Sequence, residues 1–168
     1  AFEIIEAHWL IEVPAEKIMP VVHPQSIVHS MVEFIDGSVK AQLGVPDMRL
    51  PIRYALGEAQ RLETTDSPLT LDRMVNLTFE RPDAEKFPAI KLAQYSLSRG
   101  GNTACVVNAA NEIAVAAFLK GFISFPAIYD TIERTLGAIE FIATPTFDDY
   151  VATNSAARAY AQSIIPGL

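Results

Sequence analysis

The sequence predicts an α+β protein: the remnant of an α/β domain carrying a β-hairpin, then a connector, then a C-terminal four-helix bundle. Three observations favour this. Asp36-Gly37-Ser38 separates two short apolar segments with the residues of a tight turn. Residues 58–83 are rich in turn signals. From about residue 88, apolar residues recur at helical spacing in four segments with short connections.

The composition is that of an ordinary globular protein, with 168 residues, 50% of them hydrophobic and 20% charged. The formal net charge is −7, and no two Lys or Arg residues are adjacent. Nucleic-acid binding and a membrane-surface role are therefore not expected, because both favour clustered basic residues. No apolar stretch approaches the ~18 residues of a membrane span. The chain opens at Ala1 without a signal peptide, which predicts a truncated or processed protein that is not secreted.

The N-terminal third predicts one helix and three strands. Apolar residues at helical spacing predict a helix over residues 2–12. Residues 18–22 are typical of a short buried strand. Residues 31–35 and 39–43 alternate between apolar and polar side chains, which predicts a hairpin that covers a core with one face.

The rest of the chain predicts five helices. Asp47 is a suitable N-cap for a short helix from Met48 to about Leu56. Glycines and capping residues then delimit the four helices of the bundle, which are expected over residues 89–97, over residues 103–120, from Pro126 to about residue 135, and from Thr146 to about residue 165. Thr146 followed by Asp149 is an acidic variant of the capping box.

Three common motifs are absent from the sequence: the dinucleotide fingerprint, the phosphate loop and the His-Glu-x-x-His sequence. Glu3 and Glu6 share a helix face, and such a pair suits Mg²⁺ or Mn²⁺, although a solvated acidic face explains the spacing equally simply. His8 lies on the same helix. A metal-dependent hydrolase built from these three residues is one hypothesis.

Two further segments leave alternatives open. His23, Ser26 and His29 fall within seven positions, and the histidines either bind a substrate oxygen or phosphate or make structural hydrogen bonds. Met48, in the segment Pro46-Asp47-Met48-Arg49, either lines a pocket for a flat ring or packs in the core.

Joined together, these segments resemble the 1-deoxy-D-xylulose 5-phosphate reductoisomerase family in order and spacing. The resemblance rests on Ile-Ile-Glu-Ala-His-Trp-Leu at 4–10, His-Pro-Gln-Ser-Ile-Val-His-Ser-Met at 23–31, Asp-Gly-Ser-Val at 36–39, Ala-Gln-Leu-Gly at 41–44, Pro-Asp-Met-Arg at 46–49, Leu-Thr-Phe-Glu at 77–80, Pro-Asp at 82–83, and Asn-Ala-Ala-Asn-Glu-Ile-Ala-Val-Ala-Ala-Phe-Leu at 108–119.

The resemblance implies a domain organisation. Residues 1–57 are expected to form the end of the metal- and substrate-binding catalytic domain, residues 58–87 a connector, and residues 88–168 the C-terminal helical bundle. The family's NADPH domain and two further carboxylate ligands would lie upstream of Ala1. Ala1 stands where the family usually has Gly, and the loop at residues 57–60 departs from the family's aromatic-Pro pattern.

The resemblance also implies site residues. Glu3 corresponds to a carboxylate ligand of a divalent metal, which is Mg²⁺, Mn²⁺ or Co²⁺. His29 is the expected catalytic residue, and it binds substrate together with Ser26 and Pro46. Met48 is the expected contact of NADPH.

The implied function is part of an oxidoreductase and isomerase of the non-mevalonate isoprenoid pathway. With NADPH and metal, the family converts 1-deoxy-D-xylulose 5-phosphate to 2-C-methyl-D-erythritol 4-phosphate. We expect a homodimer formed through the catalytic-domain sheet, located in a bacterial cytoplasm or a plastid. The isolated chain is expected to be inactive. The alternative is a non-catalytic helical interaction or dimerisation module.

Overall fold

A computed structural model describes residues 1–83 and 85–165. The helices are α1 Phe2–Ile11, α2 Arg49–Leu56, α3 Ala89–Arg99, α4 Thr103–Leu119, α5 Phe125–Ala138 and α6 Phe147–Ile164. The strands are β1 Val28–Glu33 and β2 Val39–Leu43, and two 3₁₀ turns cover Ala15–Lys17 and Leu71–Met74. The predicted α+β class is confirmed. Within the described ranges, no helix combines the length and the apolar character needed to cross a membrane.

The chain divides into two compact units. The bundle unit contains residues 1–20 together with the chain from Asp83 onward, and the hairpin unit contains residues 21–82. These units differ from the expected division after residues 57 and 87, which stays a prediction. The difference at the N-terminal end arises because α1 packs against α3 of the bundle, and Phe2 contacts the bundle core.

The bundle is built around α4, which packs against α3, α5 and α6. Its buried face is rich in alanine, and small side chains let neighbouring helix axes approach closely. Three buried clusters result: Leu92, Val107, Ala110, Ile132 and Ala161; Ala114, Ala117, Ile123 and Ala127; and Val106, Ala109 and Ala157. The apolar residues that predicted these helices therefore form their shared core.

Local sequence signals delimit the bundle helices as expected. The Thr146 hydroxyl accepts a hydrogen bond from the Asp149 amide at 3.2 Å, and the Asp149 carboxylate accepts one from the Thr146 amide at 2.8 Å. The predicted capping box is thus confirmed. Gly100 and Gly121, which follow α3 and α4, both have positive φ angles, as expected for glycines just beyond helix ends.

Asn102 joins the loop before α4 to the segment before α6. Its side chain is 1% exposed. The amide nitrogen donates to the Glu140 carbonyl and to the Thr153 hydroxyl, both at 3.0 Å, and the amide oxygen accepts from the Ile142 amide at 3.0 Å. Gly101 lies so close to the segment before α6 that a Cβ added to it would be 2.3 Å from the Ile142 carbonyl oxygen.

The hairpin unit contains the predicted antiparallel pair. Glu33 pairs with Val39 across the turn, and a bulge interrupts the register between Val28 and Ser30. In the turn, the Asp36 carboxylate accepts a hydrogen bond from the Ser38 amide at 2.9 Å. The expectation that one face covers a core is wrong for this unit, because the residues of both strands are exposed except at the ends where Val28 meets Leu43.

The strand predicted at residues 18–22 is also wrong. Only Val22 pairs, in a single antiparallel bridge with Glu80. Met19 is 79% exposed, and Pro20 has no amide hydrogen to donate to a ladder. An apolar run of five residues therefore forms extended chain at the surface.

Candidate functional site

The predicted site residues fall in both units. Glu3 belongs to the bundle unit, whereas Ser26, His29, Pro46 and Met48 belong to the hairpin unit. Each group is positioned by the local structure of its own unit.

Glu3 lies in the first turn of α1, and its side chain is 88% exposed. A hydrogen bond from its own backbone amide is the main reason that the pKa of the Glu3 carboxyl lies below its ordinary value, and the Ala1 amino group adds to this effect. The carboxylate is a hard anionic oxygen donor of the kind that Mg²⁺ prefers.

Among the described residues of the bundle unit, Glu3 has no partners for a complete metal site. Glu6 is exposed one turn further along α1, and His8 donates its Nδ1 hydrogen to the Val13 carbonyl at 2.8 Å. In residues 1–83 and 85–165, no three His, Cys, Asp or Glu side chains converge on a point that could hold a metal ion. This geometry does not support the hydrolase hypothesis.

A β-turn from His23 to Ser26 opens the segment of the hairpin unit that carries Ser26 and His29. The Ser26 amide donates to the His23 carbonyl at 3.0 Å, and Ser26 has a φ angle of 51°. The His23 ring donates to the Thr78 carbonyl at 2.7 Å and stacks on Phe79. Of the two roles left open by the sequence, His23 therefore has the structural one.

Backbone pairing brings the segment that carries Ser26 and His29 next to the segment that precedes Pro46. The Gly44 amide donates to the Ile27 carbonyl at 3.0 Å, which aligns the segment after Ser26 with the segment before Pro46. His29 is exposed on β1, with its ring over Gly44: a Cβ added to Gly44 would lie 3.6 Å from His29 Nε2. The small residue at position 44 leaves room for this imidazole.

Met48 stands just before α2 and is 71% exposed. Pro46 is also exposed. The alternative that Met48 packs in the core is therefore wrong for the hairpin unit as described. Its flexible, polarisable thioether lies on the surface, where it can pack against a flat ring.

The residues on either side of Met48 bind each other. The Asp47 carboxylate accepts hydrogen bonds from the Arg49 amide at 2.9 Å and from Arg49 Nε at 3.0 Å. These bonds lower the pKa of the Asp47 carboxyl to about 2. The predicted N-cap role of Asp47 is wrong: α2 begins at Arg49, so Met48 holds the N-cap position, and no side-chain capping bond is present there. Asp47 lies one residue earlier.

Asp66, which lies in the predicted connector, was not among the predicted site residues. Its carboxylate pairs with Arg53 at 2.6 Å and with Arg49 at 3.1 Å, and it accepts a hydrogen bond from the Thr64 hydroxyl at 2.8 Å. The Thr-x-Asp spacing of a polar turn was the available signal, but it does not indicate which arginines the carboxylate binds.

A cleft of about 790 Å³ lies in the bundle unit between α1, the following 3₁₀ turn and α3. Its lining includes His8, Trp9, Glu12, Gln94 and Leu97. Of the candidate residues, only His8 belongs to this lining, whereas Glu3, Ser26, His29, Pro46 and Met48 lie outside it.

Comparison with known sequences identifies related proteins. The family model of the DXP reductoisomerase C-terminal domain matches residues 43–160. The 1-deoxy-D-xylulose 5-phosphate reductoisomerase of Bacteroides fragilis is 53% identical over 164 residues, which cover 98% of this chain and 42% of that protein. The enzyme of the same name from Chlorobium limicola is 54% identical over 163 residues, or 97% of this chain and 43% of its own length.

Solved structures show the same likeness. The structure of 1-deoxy-D-xylulose 5-phosphate reductoisomerase from Zymomonas mobilis in complex with NADPH has a TM-score of 0.87 and 46% identity, covering 99% of this chain and 44% of that one. A DOX-P reductoisomerase in complex with NADPH, fosmidomycin and magnesium has a TM-score of 0.87 and 35% identity, covering 97% and 42%. The chain thus spans less than half the length of these relatives.

Proposed function

The chain belongs to the DXP reductoisomerase C-terminal domain family, and from this premise we propose that it supplies the C-terminal portion of a complete reductoisomerase. That enzyme converts 1-deoxy-D-xylulose 5-phosphate to 2-C-methyl-D-erythritol 4-phosphate, using NADPH and a divalent metal. The observation that carries the proposal is the likeness, over almost the whole chain, to a reductoisomerase whose structure holds NADPH, fosmidomycin and magnesium.

Within this enzyme we assign each site residue a role. Glu3 is a metal ligand, because its exposed carboxylate is ionised and hard. His29 is the catalytic residue that holds a substrate oxygen through its exposed ring, and Ser26 and Pro46 contact the same substrate. Met48 packs against the nicotinamide ring.

Two bound groups complete the chemistry. The divalent cation, Mg²⁺, Mn²⁺ or Co²⁺, supplies Lewis-acid polarisation and a template for the substrate oxygens. NADPH supplies the hydride. The chain's own residues bind and orient the substrate: Glu3 contributes one negative oxygen ligand, and His29 fixes an oxygen of the sugar phosphate. A single carboxylate binds Mg²⁺ weakly, so we propose that the isolated chain is inactive.

We also propose that the complete enzyme is a homodimer formed through the hairpin sheet, in a bacterial cytoplasm or a plastid. In the part of the chain that the structure describes, the sheet has two strands. Each strand therefore has one outer edge with unpaired backbone groups, and Val32, Phe34 and Val39 are exposed beside these edges. Such edges pair readily with a second copy across a two-fold axis.

The decisive experiment measures NADPH consumption with 1-deoxy-D-xylulose 5-phosphate and Mn²⁺. It is run on this chain and on a longer protein that includes the upstream portion. Activity in the longer protein alone supports the proposal. Activity in neither protein favours the non-catalytic interaction module. Turnover by this chain alone would overturn the account of the site.

The metal role of Glu3 has a matched test in the longer protein. Loss of an outer-shell partner costs 10–100-fold in metal affinity or activity, so Glu3→Gln should reduce kcat/KM by at least ~100-fold. Glu6→Gln is the control, because Glu6 is equally exposed on the same helix and has no assigned ligand role. Equal activities of the two variants would refute the ligand assignment.

A further inference from the structure

The helix that follows Met48 makes several polar contacts with the rest of its unit. None of the eight residues of α2 is buried within the described hairpin unit. Helices this short are marginal by themselves, so their stability depends on what they contact. The far end of α2 is fastened by local bonds, such as that from the Ala59 amide to the Tyr54 carbonyl at 3.0 Å. The first turn, next to Met48, is held by a different set of contacts.

Asp66 provides these contacts. Its two carboxylate oxygens are divided between two residues one turn apart on α2: Oδ1 lies 3.1 Å from Arg49, and Oδ2 lies 2.6 Å from Arg53. The Thr64 hydroxyl donates to Oδ2 at 2.8 Å, and the same hydroxyl accepts from the Asp66 amide at 3.0 Å. The Asp66 carboxylate is therefore also held by contacts that do not involve α2.

These contacts continue to both sides of Met48. Arg49 binds Asp66 on one side and Asp47 on the other. Asp47 immediately precedes Met48, and Arg49 immediately follows it. A network of alternating charges thus runs from Arg53 through Asp66 and Arg49 to Asp47. Its last two members are the residues on either side of Met48. Networks of this kind fix geometry more than isolated surface ion pairs do.

We propose that Asp66 is a positioning residue: by bridging Arg49 and Arg53 it fixes the first turn of α2 and thereby sets the position of the Met48 side chain. The inference rests on the proposed function in one respect, because it assumes that Met48 contacts the nicotinamide ring. Hydrogen bonds from Arg53 and then from Thr64 lower the pKa of the Asp66 carboxyl, so the bridge is ionised at neutral pH.

The anchor itself is tested in this chain by backbone hydrogen exchange. The Ile52 amide donates to the Met48 carbonyl at 3.2 Å and reports the first turn of α2. Asp66→Asn should accelerate exchange at this amide. Asp36→Asn is the matched control, because Asp36 lies in the same unit and its carboxylate bonds only Ser38. Unchanged exchange at Ile52 in Asp66→Asn would overturn the proposal.

The consequence for catalysis is tested in the longer protein. Asp66→Asn should raise the KM for NADPH about tenfold, since small displacements of a positioning group cost one to two orders of magnitude. The KM for the sugar phosphate should stay the same, and Asp66→Glu, which keeps the charge, should restore part of the loss. A parallel rise in both KM values, without rescue by Glu, would indicate general destabilisation and contradict the proposal.

Met48→Ala separates this inference from the proposed function. If Met48→Ala raises the KM for NADPH and Asp66→Asn does not, only the positioning role of Asp66 fails. If Met48→Ala leaves that KM unchanged, the assigned cofactor contact fails, and the catalytic part of this inference fails with it. Hydrogen exchange then decides whether Asp66 anchors α2.

Discussion

Gly101 occupies a position at which no other residue fits well. Its φ angle is +57°, and an added Cβ would lie 2.3 Å from the Ile142 carbonyl oxygen. Positive φ costs a residue with a Cβ roughly 1–2 kcal/mol, and the contact with a backbone oxygen adds to this. The loop before α4 therefore depends on the absence of a side chain here.

Replacement of Gly101 by alanine is expected to lower the free energy of unfolding by about 3 kcal/mol or more, because backbone strain and steric overlap add. Urea unfolding of the chain, followed by helical circular dichroism, measures the change. Gly121→Ala is the control: its φ angle is +75°, but no atom lies within 4 Å of the added Cβ. It should cost only about 1 kcal/mol. Equal costs would show that the contact with Ile142 is unimportant.

The chemical roles of single residues were only partly predictable from the sequence. His23 and Met48 each had two possible roles. The structural role of His23 depends on Thr78, which is 55 positions away, and local pattern carries no information on such a partner. The exposure of Met48 likewise depends on how the hairpin unit packs. The assignments of Glu3, Ser26, His29, Pro46 and Met48 rest on motif resemblance and stay predictions until the variants are measured.

Among the elements, α6 has the most complete N-terminal cap. The Thr146 hydroxyl accepts from the Asp149 amide, so Thr146→Ala should destabilise the bundle unit by about 1 kcal/mol. Ser124 holds the same N-cap position of α5 but makes no side-chain capping bond. Ser124→Ala should therefore cost much less. The urea midpoints of the two variants test this expectation. A larger loss of stability in Ser124→Ala than in Thr146→Ala would contradict it.

The capping box of α6 also predicts that the free energy of unfolding depends on pH. Hydrogen bonds from the Thr146 amide and hydroxyl lower the pKa of the Asp149 carboxyl below 3.8. A carboxyl whose pKa is lower in the folded state adds stability above its unfolded pKa, and this is lost as pH falls through the folded value. The stability difference between the wild-type chain and Asp149→Asn should therefore be largest near neutral pH and shrink as the pH falls below the ordinary Asp pKa of about 3.9. A constant difference would exclude this linkage.

The elements themselves were predictable where their signals are local. The hairpin turn, the glycine helix ends and the capping box all depend on residues within a few positions. The strand at residues 18–22 was wrong because an apolar run does not reveal whether a neighbour is available to pair with it. The prediction that one face of the hairpin is buried was wrong for a related reason. Alternation indicates which side chains share a face, but not what covers that face.

At the scale of the whole molecule, the division into two units does not follow the order of the sequence. Residues 1–20 belong with residues from the second half of the chain, because α1 packs on α3. Asp66 was not among the predicted site residues for a comparable reason. It lies in an irregular stretch without periodicity, 13 positions from Arg53, and only the folded unit brings the two charges together.

The exposed hairpin predicts the quaternary structure of the longer protein. If the sheet edges form the dimer interface, Val32→Asp should convert a dimer to a monomer, because it places a charge in a desolvated contact. Phe122→Asp is the control, because Phe122 is also exposed but lies in the bundle unit. Sedimentation velocity distinguishes the two species. A Val32→Asp protein that still sediments as a dimer would remove the hairpin from the interface.

Trp9 gives the chain a built-in optical reporter. It is the single tryptophan of the sequence, it is 69% exposed on α1, and it borders the cleft of the bundle unit. An indole in this setting should emit at the long wavelengths of a water-exposed fluorophore. Any molecule or polypeptide that covers α1 should shift that emission to shorter wavelength, so assembly at this helix can be followed in the native sequence without a label.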